Sequence, residues 1–146
     1  MNSIEKYKYW LEAAQYDLES ARVMLAGSRY MYVAFMSQQA IEKLTKGIYL
    51  LYTDKEPPRS HNSWGILMRA RKEIDRKECS LKSELNRDMA KYKDFFAELL
   101  SYYISGRYPV YKQKISEGID ADRATKILTT TEEVFLWLKS LSRYKL

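Results

Sequence analysis

The sequence predicts an all-α protein, an up-and-down four-helix bundle with one additional short helix. Three observations carry this expectation. Apolar residues recur at alternating three- and four-residue intervals in four long stretches, the spacing that lines one face of an α-helix. No segment alternates apolar with polar residues as a half-buried strand does, and no internal repeat is visible. The prolines, 3 in number, fall between the periodic stretches, where they interrupt nothing. At 146 residues, 46% hydrophobic and 30% charged, the chain is sized and composed for one packed domain spanning 1–146.

The first helix is read from Ile4, Tyr7, Leu11, Ala14, Leu18, Ala21 and Leu25, with Gly27 placed to end it in a left-handed cap. Ser28 is then placed to cap a second helix from about Arg29 to Tyr52. That helix carries Tyr30, Val33, Ser37, Ala40, Leu44, Gly47, Ile48 and Leu51 inward. So short a loop makes the two helices antiparallel neighbours. The segment TDKEPPRSHN breaks the pattern, and Asn62 or Ser63 caps a shorter helix bearing Trp64, Leu67 and Ile74. The charged stretch RKEIDRKECSLKSE is expected to hold a turn. Leu85, Met89, Tyr92, Phe96, Leu99 and Tyr103 then mark a long fourth helix to about Ile104, ended by Ser105-Gly106 and kept from restarting by Pro109. The loop RYPVYKQKISEGI leads to a last helix capped by Asp120, with Ala124, Ile127, Thr131, Val134, Leu138 and Leu141 inward.

Composition narrows the chemistry. No apolar run approaches the roughly 20 residues needed to span a bilayer, and the opening MNSIEKYKYW has polar residues where an export signal needs its apolar core. With one cysteine, Cys79, no internal disulfide or cysteine-based zinc site is available, and a reducing cytoplasm is the expected location. One histidine, His61, argues against a metal site in the same way. The sequence has no Gly-rich phosphate loop, no His-Glu-x-x-His and no nucleophile elbow, so no cofactor is expected. The excess of 25 basic over 19 acidic residues, a formal charge of +6, favours polyanionic partners such as RNA, nucleotides or an acidic protein.

Three places can carry function. In FMSQQAIEKLTKGI, Gln39, Glu42, Lys43 and Lys46 form one polar arc. It is either a solvated face with supportive i,i+4 pairs or a polar site for a phosphate or base. His61, just before the third helix, is either a capping and packing residue or an acid–base group. Arg107, Lys112 and Lys114 lie among Tyr102, Tyr103, Tyr108 and Tyr111. Cations interleaved with aromatics suit single-stranded nucleic acid, and they equally suit a helix end, where a cation meets the macrodipole.

Taken in order, these landmarks resemble the HEPN domain family. AAQYDLESARVML is similar to its A-x-x-D-L-x-x-A-x-x-L opening, FMSQQAIEKLTKGIYL to its F-x-x-Q-Q-A-x-E-K-x-x-K helix, PPRSHN to its P-x-x-H element, and YYISGRYP to its Tyr-rich R-Y-P ending. The resemblance runs from about Tyr9 to Leu138. It implies a helical bundle that forms a homodimer and pairs with a minimal nucleotidyltransferase, sometimes as a toxin–antitoxin couple. Some branches are metal-independent ribonucleases using Arg-x4-6-His. Here positions 112 to 114, counted on from Arg107, are Lys112, Gln113 and Lys114, and the sole histidine cannot complete that motif with any arginine. The expectation is therefore a non-catalytic module binding a nucleotide or RNA through Gln39, Lys43, His61, Tyr103, Arg107 and Tyr108. Lys43 and Arg107 would meet phosphate, Gln39 would hydrogen-bond, a tyrosine would stack, and His61 would orient its loop. A divergent ribonuclease using His61 or Lys112, and a purely structural oligomerisation domain, are the alternatives.

Overall fold

A computed structural model describes residues 1–77, 79–107 and 118–146. The helices are α1 (Ser3–Ala26), α2 (Tyr30–Thr53), α3 (Ser63–Lys77), α4 (Cys79–Arg107) and α5 (Ala121–Ser140), followed by a 3-10 turn, Leu141–Tyr144. The all-α bundle read from the sequence is the observed fold, with no strand among the described residues.

The helix starts follow local chemistry. Asn2 accepts from the Glu5 amide at 2.8 Å while the Glu5 carboxylate accepts from the Asn2 amide at 3.1 Å, a reciprocal cap for α1. Asn62 is the cap of α3, its side chain accepting from the Gly65 amide at 3.2 Å. Asp120 caps α5 as expected, accepting from the Arg123 amide at 2.8 Å.

Two junctions differ from the sequence reading. Between α1 and α2 the left-handed residue is Ser28, with φ 60°, while Gly27 keeps a negative φ of −89°. The α2 N-cap is Arg29 and makes no side-chain capping bond, so Ser28 turns the chain instead of capping the helix. At the far end, α4 continues through Ser105-Gly106 to Arg107. A glycine costs a helix only about 1 kcal/mol, and one that late in a 29-residue helix does not suffice to end it. The charged stretch is helical up to Lys77 and again from Cys79.

α2 is the axis of the molecule. It packs against each of the other four helices, and its buried residues lie on every side, from Val33, Ile41, Leu44 and Ile48 to Ser37, Gln38 and Glu42. Its closest partner is α1, because Gly47 removes the side chain where the two cross. A Cβ there would stand 2.9 Å from Trp10 Cβ and 3.2 Å from Tyr7 Cδ2. The inward stripes on α4 and α5 are buried from Leu85 to Leu99 and from Ala124 to Leu141, joined by the Tyr92–Trp137 ring pair at 5.0 Å. The 3-10 turn closes the bundle, its Leu141 carbonyl accepting from the buried Tyr52 hydroxyl.

Ile4, the first residue of the α1 stripe, is exposed, and Leu11 and Leu25 are half-buried. No described helix is long and apolar enough to cross a membrane.

Candidate functional site

The polar arc of α2 does not act as one surface. At about 100° per residue, Gln38, Glu42, Lys46, Gln39 and Lys43 fan in that order across about 140° of α2, so its two edges, Gln38 and Lys43, meet different neighbours. Lys43 leans over α1, with Nζ 2.6 Å from Asp17 Oδ2. There it borders a shallow groove with Tyr9, Glu12 and Tyr16.

The Gln38–Glu42–Lys46 series meets the loop after α2. Glu42 is 3% exposed, a carboxylate that reaches almost no water. A buried charge of this kind costs several kcal/mol unless it is paired and hydrogen-bonded. Both conditions are met: His61 Nδ1 lies 2.7 Å from Glu42 Oε1, and Lys46 Nζ lies 3.6 Å from the same oxygen. Gln38 holds the backbone beneath the ring, its Nε2 donating to the His61 carbonyl at 3.4 Å. Gln39 Nε2 in turn donates to Gln38 Oε1 at 2.6 Å. His61 is thus fixed at its main chain and at one ring nitrogen, and its side chain is still 46% exposed.

The carboxylate can only accept, so the proton of a neutral imidazole sits on Nδ1 and the lone pair on Nε2. Tyr103 of α4 lies against the ring, with centroids 3.9 Å apart and planes 18° from parallel. Its hydroxyl is 2.8 Å from Nε2. Because the rings are stacked, the phenol oxygen approaches Nε2 obliquely rather than along the in-plane lone pair. Phe35 of α2 continues the stack on Tyr103, at 6.3 Å and 24°. Arg107 is the last residue of α4, one turn beyond Tyr103. The Arg107 side chain, Tyr108, Lys112 and Lys114 lie outside the described residues.

Of the residues expected to bind, the structure brings His61 and Tyr103 together, joins Gln39 to them through Gln38, and turns Lys43 toward α1. Gln38, Glu42 and Lys46 also belong to the cluster; Glu42 and Lys46 are part of the polar arc read from the sequence, and none of the three is among the expected ligand-binding residues. The sequence shows the four-residue spacing of Gln38, Glu42 and Lys46 and a single histidine, His61, but not that the carboxylate is buried. Among the described residues, no three His, Cys, Asp or Glu side chains gather closely enough to hold a metal ion.

A second polar cluster ties α4 to α5. The Tyr102 hydroxyl donates to Glu98, and Arg123 stands 3.3 Å from both. Burial, then the hydrogen bond to the Glu98 carboxylate, pushes Tyr102 up to about 12.

Comparison with known proteins matches this arrangement to a family. The profile of the HEPN domain covers residues 7–141, from the first buried tyrosine to the end of the core. The chain belongs to the HEPN domain family. Two solved structures share the HEPN fold. The protein TT1696 from Thermus thermophilus has a TM-score of 0.73 at 22% identity, over 97% of this chain and 99% of that one. ST0689, described as an archaeal HEPN homologue, has a TM-score of 0.65 at 22% identity, over 92% of this chain and 95% of that one. At such identity the likeness is one of fold alone. No curated protein matches the chain.

Proposed function

We propose that this HEPN domain is a non-catalytic module that binds a nucleotide or RNA, works as a homodimer, and pairs with a minimal nucleotidyltransferase in the manner of a toxin–antitoxin couple. The observation that supports binding is the half-exposed imidazole of His61, held by a buried glutamate and backed by Tyr103. A cationic residue follows in the same helix, since Arg107 ends α4 one turn after Tyr103, and the chain carries +6 overall. In this reading Arg107 and Tyr108 serve the ligand directly. Gln39 keeps a free amide oxygen for it, and Lys43 shares its charge between Asp17 and a phosphate.

Fluorescence anisotropy with single-stranded RNA and thermal shift with ATP test the binding, and light scattering with the co-expressed nucleotidyltransferase tests the assembly. Arg107→Ala is expected to weaken binding about tenfold and to flatten its salt dependence. Lys43→Ala is expected to weaken it less, since Asp17 already occupies that ammonium. A melting temperature unmoved by ATP, other nucleotides and RNA would leave only the structural oligomerisation role.

The Glu42–His61 pair also favours a second reading, a divergent metal-independent ribonuclease. A carboxylate that fixes the tautomer of a partly exposed imidazole is a recurrent way to prepare a general base. RNA cleavage in the presence of a chelator, abolished in both His61→Gln and Arg107→Ala, would establish that activity and overturn the non-catalytic one.

A further inference from the structure

We infer that His61 is a stacking platform for one unpaired nucleobase, the open end of a ladder whose inner rungs are Tyr103 and Phe35. This rests on the nucleotide- or RNA-binding reading and specifies how the ligand is held. Three rings from three different parts of the chain stand nearly parallel. Phe35 of α2 is 24° from Tyr103 of α4, and Tyr103 is 18° from His61 of the loop before α3. Phe35 and Tyr103 are half-buried, whereas the His61 side chain is 46% exposed. One face of the imidazole is covered by Tyr103, and its Nδ1 edge is taken by Glu42 at 2.7 Å. Its Nε2 meets the Tyr103 hydroxyl at 2.8 Å, so the area open to a ligand is the remaining face.

The bond to Glu42 satisfies the buried carboxylate, and it leaves the outer face of the ring open. Glu42 on Nδ1 and Tyr103 on one face fix the ring plane before any ligand arrives, so the ordering cost of the platform is met in the fold. A flat ring fixed at the surface recognises any base through its π-face, which gives affinity without sequence preference. With Nε2 already taken by the Tyr103 hydroxyl, a base is held through the ring face and not through this nitrogen. Arg59, exposed and two residues before His61, supplies a cation on the same loop. A free nucleotide and a single-stranded RNA offer the same chemistry here.

The test uses the full chain and 2-aminopurine, whose fluorescence is quenched on stacking. It is carried once within a short single-stranded RNA and once as the free ribonucleoside monophosphate. Binding is expected to quench the probe. His61→Gln, which can still donate to Glu42 but has no ring, is expected to lose the quench and roughly tenfold in affinity. His61→Phe is expected to keep the quench. An RNA carrying an abasic residue at the probe position is expected to bind both wild type and His61→Gln equally weakly. Quenching of the free nucleotide as well as the RNA assigns the platform to mononucleotides, and quenching in RNA alone assigns it to a strand. If RNA binds with the probe unquenched, or His61→Gln binds as tightly as wild type, the platform is overturned and the binding reading stands. If wild type binds neither probe, both fall. Circular dichroism melts of each variant keep loss of fold apart from loss of binding.

Discussion

Glu42 is the residue on which the site depends. Its carboxylate has 3% of its residue surface in contact with water and two donors within reach, His61 and Lys46. Removing it leaves a half-buried ammonium and a positioned imidazole without their acceptor. Glu42→Ala is expected to cost about 2–3 kcal/mol, read as a fall in the urea midpoint. Glu42→Gln keeps an oxygen that accepts from Nδ1 and should cost less than half as much. Equal losses in the two variants would mean that the negative charge itself, and neither an acceptor oxygen nor packing volume, is what Glu42 supplies. Burial of an acid is not printed in a sequence. The four-residue spacing of Gln38, Glu42 and Lys46 was legible, but what they face depends on how the other helices and the loop pack around α2.

At the scale of elements, the long helices were legible because their apolar stripes repeat at the helical period over five or more turns. The inward positions of α5 are all buried, and those of α4 are buried as far as Leu99. Boundaries were less legible, since caps and turns are decided by single dihedral angles. Ser28 takes the left-handed turn that a neighbouring glycine was expected to take, and Gly106 lies inside a helix. Gly47 shows the opposite case, a glycine whose role lies between two elements. Gly47→Ala improves helix propensity by about 1 kcal/mol and drives a methyl group to 2.9 Å from Trp10 Cβ, an atom that cannot move without its helix. The crossing of α1 on α2 should win, for a net loss of about 1–2 kcal/mol measured by chemical denaturation. A stabilised Gly47→Ala would show that α1 is free to shift outward.

For the whole molecule, tyrosines make stability sensitive to alkaline pH. Tyr102 is raised from 10.0 to about 12, chiefly by burial and then by its bond to Glu98. Burial raises Tyr7 and Tyr92 in the same direction. A phenol with a raised folded value holds its proton more tightly when folded than when unfolded. Its contribution is therefore complete below pH 10 and is lost as the pH climbs toward 12. The melting temperature should fall over that window, and the fall should be shallower in Tyr102→Phe. Identical slopes in the two proteins would place the alkaline transition elsewhere. The fold and its family were legible over most of the chain. The ring ladder was not, because Phe35, His61 and Tyr103 are far apart in sequence and meet only once α2, α4 and the loop are packed.

The loop that presents His61 begins at Asp54, a left-handed residue with φ 57°. Two contacts fasten its first residues to the start of α1: Ser3 Oγ donates to Asp54 at 2.6 Å, and Lys6 pairs with Glu56. Each is exposed and worth at most about 1 kcal/mol, yet both act on the same few residues of backbone. The amino-terminal turn touches neither His61 nor Tyr103, but it anchors one end of the tether on which the histidine is carried. Trimming the first six residues, or fusing a bulky tag onto them, would therefore slacken that tether while leaving the bundle intact.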